Sequence, residues 1–153
     1  MRKRFLPALC ILLLLPLLLT ACRQIEDTNG PDDISLCTLT EEEILDKSPS
    51  YSAVSSITST QNGKRTLRIK KLSGVYALDS HLASGNTLTI TLSTTLHEGN
   101  LRIVVLCDGN YVADLPVGQN ETLTLQNADG HRYQVRLAAE SAKLDATLTF
   151  TDN

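Results

Sequence analysis

The 153-residue chain has no tryptophan, two phenylalanines and four tyrosines. So few aromatic rings argue against a polysaccharide platform, which relies on exposed flat faces. Its four cysteines contain no Cys-x-x-Cys pair, and the sequence nowhere clusters Cys with His. That leaves no basis for a structural zinc site, and no metal is expected. Also missing are a Gly-x-Ser-x-Gly elbow, a His-Glu-x-x-His pair and a glycine-rich phosphate loop. The three histidines, His81, His97 and His131, are scattered: the first ends a candidate strand and the others lie beside turns. No catalytic residue and no cofactor is therefore expected, and the chain reads as a non-enzyme.

Positive charge is scarce outside the first few residues. Residues 1–21 hold three of the fourteen basic side chains and no acid, so the remainder carries eleven Lys and Arg against seventeen Asp and Glu, a formal charge of −6. That balance excludes a nucleic-acid partner and a polybasic grip on anionic lipid.

What is present at the N-terminus is specific. Arg2, Lys3 and Arg4 precede an apolar run from Phe5 to Leu19, about fifteen residues and short of the roughly twenty that a spanning helix needs. Pro7 and Pro16 would also disturb a lasting helix. A basic start, an apolar segment and small residues at its end describe a secretory signal. The run closes on Leu19-Thr20-Ala21-Cys22, which resembles the lipobox of bacterial lipoproteins. The resemblance implies cleavage between Ala21 and Cys22 and a diacylglyceryl group on the Cys22 thiol. Two or more acyl chains hold a protein stably at a membrane where one does so only marginally. The expected organisation is a signal peptide over 1–21, a lipidated tether with a short helix over 22–50 and a β domain over 51–153. The expected location is the extracytoplasmic side of the cell membrane.

Arg23 to Asp33 is polar, acidic and broken by Gly30-Pro31, the composition of a flexible tether. Thr40-Glu41-Glu42-Glu43 has capping-box spacing, and Ser48-Pro49 stops the segment, which predicts one or two helical turns. From about Ser52 the period becomes two. Leu88, Ile90 and Leu92 alternate with Thr87, Thr89, Thr91 and Ser93, as in a half-buried antiparallel strand. Similar alternation runs through Leu67–Lys70, Thr122–Leu125, Tyr133–Leu137 and Ala146–Phe150, whereas Leu101–Cys107 is apolar on both faces and reads as a central strand. Asn62-Gly63, Asp108-Gly109 and Asp129-Gly130 are hairpin signals. Ser84-Gly85-Asn86, Glu98-Gly99-Asn100, Pro116-Val117-Gly118 and Ser141-Ala142-Lys143 supply further turns. About eight or nine short strands with regular turns predict an all-β, antiparallel sandwich of jelly-roll or Ig-like type.

Two local patterns invite a ligand. Asp108-Gly109-Asn110 and Asn127-Ala128-Asp129 carry oxygen donors suited to calcium. Hairpin turns require the same residues, and neither stretch has the distal glutamate of a dedicated calcium loop. The threonine rows lack the fixed repeat of an ice-binding array and are good strand formers in any case.

Residues from about Arg65 to Phe150, with Ile69-Lys-Lys-Leu-Ser-Gly-Val-Tyr76, Gly99-Asn-Leu-Arg-Ile-Val-Val105 and Asp108-Gly-Asn-Tyr111, resemble small lipoproteins of Gram-positive gut bacteria. The resemblance implies a jelly-roll-like sandwich behind a lipobox and assigns no catalytic residue. The expected role is a non-catalytic interaction or envelope-associated module that contacts a protein or a glycan, with the oligomeric state open. A hydrolase or transferase acting on envelope polymers, and a structural or inhibitory envelope component, are the rival expectations.

Cys10 leaves with the signal and Cys22 takes lipid, so Cys37 and Cys107 are the two thiols free to pair. A bridge would close a loop of roughly seventy residues, worth about 4 kcal/mol in the chain-entropy model. Alternatively Cys107, in phase with Ile103 and Val105, is a small buried hydrophobe. Both alternatives stay open at this level.

Overall fold

A computed structural model describes residues 37–153. The expected signal peptide, the cleavage site at Ala21 and Cys22, and the first part of the tether lie outside the described residues. Those described form one short helix, α1 (Glu41–Leu45), and six strands: β1 (Tyr51–Gln61), β2 (Lys64–Leu82), β3 (Thr87–Cys107), β4 (Asn110–Leu115), β5 (Asn120–Gln126) and β6 (Arg132–Asp152). All pairings are antiparallel, in the order β1-β2-β6-β3-β4, with β5 also on β3.

The expected eight or nine short strands are therefore six, and the physical reason is local. Glu98-Gly99-Asn100 and Ser141-Ala142-Lys143, read as turns, sit inside β3 and β6. Register slips between Leu96 and Glu98 and again before Asn100 in β3, opposite residues 140–144 of β6. It also slips between Ile69 and Gly74 in β2, opposite residues 139–144 of β6. These irregularities form one line across the three longest strands. A bulge bends its strand and strengthens its twist without ending it. Gly99 (φ +78°) supplies one such point, and a Cβ there would lie 2.5 Å from the Glu140 carbonyl oxygen.

Both halves of each long strand feed one apolar core. Leu67, Ile69 and Leu78 of β2 join Leu88, Ile90, Leu92, Leu101, Ile103 and Val105 of β3, with Val135, Leu137, Leu144 and Leu148 of β6. Leu101–Cys107 is buried on both faces, as its double-sided apolar sequence predicts. Ile103 and Val105 face this core, while Val104 and Leu106 face a second, smaller cluster with Val75, Ala138 and Ile44.

That second cluster also takes in residues that precede the domain start expected at Tyr51. Ile44 of α1 is fully buried in it, with Cys37, Leu39 and Leu45 packed at its side. The helix has the expected capping box: the Thr40 hydroxyl accepts from the Glu43 N–H, and the Thr40 N–H donates to Glu43 at 2.8 Å. Polar ties fasten the segment to the sheet. Arg136 Nη1 donates to the Ile44 and Asp46 carbonyls at 2.6 and 2.7 Å, and the Thr38 N–H and hydroxyl both donate to Glu140. Arg102 of β3 bridges Glu41 at 2.7 Å and Asp114 of β4 at 3.1 Å. Residues 37–46 thus close one face of the sheet.

Candidate functional site

The two thiols that sequence allowed to pair are both free. Cys37 borders the cluster around Ile44, whereas Cys107 packs against the main core, so they lie on opposite faces of β3. Strand alternation produces this separation: Cys107 is in phase with Ile103 and Val105, away from Val104 and Leu106. Cys107 has other neighbours.

Those neighbours gather where the β3–β4 hairpin meets the start of β6. Asp108 (φ +51°) and Gly109 (φ +84°) make the tight turn that Asp-Gly predicts, with positive φ at both central positions. The Asp108 N–H donates to the Arg132 carbonyl at 2.8 Å, and the Arg132 N–H donates back to Asp108 Oδ1 at 3.0 Å. This exchange fixes the carboxylate and leaves its second oxygen turned toward two side chains. Oδ2 lies 2.7 Å from His131 Nδ1 and 3.9 Å from the Cys107 sulfur. One ligand atom from each of Cys107, Asp108 and His131 falls within 4.8 Å of the others. The His131 hydrogen bond, then the Arg132 N–H, hold the Asp108 carboxyl below the usual range. Tyr133, opposite Cys107 on β6, is buried, and its phenol is pushed up by burial and by the adjacent thiol.

Sequence reasoning missed this group. Asp108 entered it only as a turn residue and a weak calcium donor, and His131 only as a residue beside a turn. The three residues match no spacing motif, because antiparallel pairing of β3 with β6 brings them together. The usable signal was the Asp-Gly turn, which places Cys107 and Asp108 at a strand end, combined with a strand that starts just after His131.

The other two histidines also sit on carboxylates. His81 Nε2 is 2.9 Å from Asp152 Oδ2, and His97 Nε2 is 3.0 Å from Asp145 Oδ2. Ser84 donates to the same Asp152 oxygen at 2.9 Å. A serine and a histidine that share one acceptor leave the serine without a base, so this trio lacks the geometry of a nucleophile relay.

A different surface stands out at the far edge of the sheet. Every residue of β1 is exposed, and among the described residues β1 pairs with β2 alone. Its eleven residues include no charge and no proline. Of the five large apolar side chains exposed among the described residues, three belong to it: Tyr51, Val54 and Ile57, the last 66% exposed. Tyr51 meets Tyr76 edge-on, with ring centroids 4.8 Å apart. The other edge strands differ. β4 and β5 have six and seven residues and carry Asp114 and Glu121. Short, charged edges resist pairing with another chain, whereas a long uncharged edge presents a row of open backbone donors and acceptors. The strand period expected from about Ser52 and the Asn62-Gly63 hairpin signal cover β1, but its Ser/Thr-rich run did not mark it as an exposed edge.

Among the described residues, no helix is long and apolar enough to cross a membrane. No protein-family model matches the chain, and no curated protein matches it.

Proposed function

We propose that the protein is a lipid-anchored, extracytoplasmic binding module that captures an extended protein segment along β1. The observation that carries this reading is the free edge of β1: eleven exposed residues, uncharged, with Tyr51, Val54 and Ile57 outermost. Strand addition draws affinity from main-chain hydrogen bonds and specificity from alternate side chains. An edge of backbone groups suits a peptide rather than a glycan, for which a platform of flat rings would be needed. The anchor half of the proposal rests on the Leu19-Thr20-Ala21-Cys22 lipobox. A jelly-roll or Ig-like sandwich is the architecture we assign to the creased sheet, supported by the one core into which both halves of β2, β3 and β6 pack.

The test places a photo-activated cross-linker at Ile57 in the membrane-associated full chain, with a control probe at Thr124 on β5. A discrete protein adduct from position 57, absent from position 124 and lost in the charged-edge variant Val54→Lys, is expected. Identical adducts from both positions, or none from position 57, would overturn the proposal.

A further inference from the structure

We infer that Cys107, Asp108 and His131 form a binding site for a borderline-soft divalent cation of the zinc type. The site lies on the half of the sheet away from the β1 edge and is independent of strand capture.

Three observations carry the inference. The first is the donor set: a thiol, an imidazole and a carboxylate, each supplying one atom, all within 4.8 Å. Sulfur and nitrogen donors select zinc and its late-transition neighbours over calcium and magnesium, which prefer oxygen alone. The second is preorganisation. Asp108 sits in a tight turn, its N–H donating to the Arg132 carbonyl and its Oδ1 accepting from the Arg132 N–H. Oδ2 is thereby aimed at His131 Nδ1 (2.7 Å) and at the Cys107 sulfur (3.9 Å). A cation between these three atoms would take the place of the proton that His131 and Asp108 now share. The third is the character of the thiol's surroundings. Reactive thiolates are held beside cations. Here a carboxylate adjoins the sulfur, the wrong partner for a free nucleophile and the right one for a thiolate that shares a metal. Tyr133 pairs with Cys107 across the β3–β6 ladder and is itself buried.

Binding balances simply: the cation displaces the thiol proton to solvent, neutral His131 ligates through Nδ1 with its proton on Nε2, and no oxidant or reductant is required. Three protein ligands leave one tetrahedral position open. His131 and Asp108 are exposed, so that position faces solvent.

Cobalt(II) serves as the probe, because cobalt bound to a thiolate gives a near-ultraviolet charge-transfer band and tetrahedral cobalt gives visible bands. The full chain, reduced and held in detergent, should develop these bands with one equivalent of cobalt and lose them on zinc addition, but not on equimolar magnesium. Loss of an outer-shell partner already costs about 10–100-fold in metal affinity. Cys107→Ser and His131→Ala should therefore each weaken binding at least tenfold, while Cys22→Ser and Cys37→Ser leave it unchanged. His131 is exposed beside a turn, so His131→Ala should keep the β-rich circular dichroism spectrum even if Cys107→Ser does not. Absence of the bands, their persistence in both Cys107→Ser and His131→Ala, or competition by magnesium would overturn the site.

Discussion

Arg136 of β6 reaches the backbone of α1, where its Nη1 lies 2.6 Å from the Ile44 carbonyl oxygen. The same nitrogen donates to Asp46, and Nε donates to the Gln134 side chain at 2.6 Å. Arg136 is only 5% exposed. Burial pushes its guanidinium down from the ordinary range, against a smaller upward pull from Asp46. The residue thus satisfies the carbonyls at the end of a helix too short to be stable by itself. Arg136→Ala should cost about 1–3 kcal/mol, the usual penalty for leaving buried acceptors without a donor. Arg136→Lys should recover only part of it, since one ammonium lacks the planar fork. Urea denaturation of the three proteins measures the difference, and an unchanged midpoint for Arg136→Ala would show that the tie contributes nothing.

Removal of everything before Tyr51 should be far more damaging than the domain boundary read from sequence implies. It would expose Val75, Val104, Leu106 and Ala138, which Ile44 and its neighbours now cover. At roughly 1.5–3 kcal/mol for each large apolar side chain returned to water, the loss is on the order of 5 kcal/mol. That approaches the whole stability of many domains. A chain starting at Tyr51 should aggregate or unfold at much lower urea than one starting at Cys37, and equal midpoints would restore the later boundary.

Gly99 should tolerate no side chain. Its φ of +78° strains any L-residue, and a Cβ would meet the Glu140 and Ser141 carbonyl oxygens at 2.5 and 2.6 Å. Both oxygens are backbone, so neither can swing aside. Gly99→Ala should cost on the order of 2–3 kcal/mol. Gly63→Ala is the contrast: φ is also positive, but nothing lies within 4 Å. Thermal melts should therefore show a larger drop at position 99 than at position 63.

Much of the sheet was legible because one buried face writes a period of two into the chain. Leu88, Ile90 and Leu92 fill the core from β3 as their alternation predicts, and the two-faced run at Leu101–Cys107 is the strand covered on both sides. Asn62-Gly63 and Asp108-Gly109 make hairpins because positive φ at two successive residues favours those pairs. Glu98-Gly99-Asn100 has the composition of a turn but forms a bulge, and composition cannot distinguish a strand that bends from one that ends. The full exposure of β1 escaped because no core selects its pattern. The packing of Ile44 escaped because a single apolar residue on a five-residue helix carries no period. The Cys107–Asp108–His131 group depends on cross-strand register, which no local spacing encodes.

Acid should weaken the fold through its paired carboxylates. Asp145 is held below its ordinary range by His97 and then Arg68, and Asp152 by His81 and then Ser84. A carboxyl whose folded value is depressed contributes stability above its unfolded value, near 4, and loses it as pH falls through the folded value. The urea midpoint should hold from neutrality to about pH 5 and decline below about pH 4. Asp145→Asn should make that decline shallower, because it removes one of the linked protons. The Asp145 pairs are exposed and the His81–Asp152 pair is half-buried, so the effect of each is small and should shrink further in high salt. A midpoint that rises on acidification would reverse the sign.

The anchor is the most direct expectation to test, since it depends on a single sulfur atom. On the proposed lipobox reading, diacylglyceryl transfer would use the Cys22 thiol as nucleophile and cleavage before it the small side chains of Thr20 and Ala21. Cys22→Ala removes the thiol and keeps the small volume, so export by the preceding apolar run should continue while lipid attachment stops. Labelling with radioactive palmitate should mark the parent chain and leave Cys22→Ala unlabelled. The variant should leave the membrane fraction or accumulate with its leader uncut. Cys37→Ala should label normally, which separates a lipobox from nonspecific acylation of any accessible thiol. A second contrast uses Ala21→Leu, which enlarges the residue at the cleavage point and should leave a longer, membrane-held species. Continued palmitate labelling of Cys22→Ala would remove the anchor and, with it, the extracytoplasmic placement of the β1 edge.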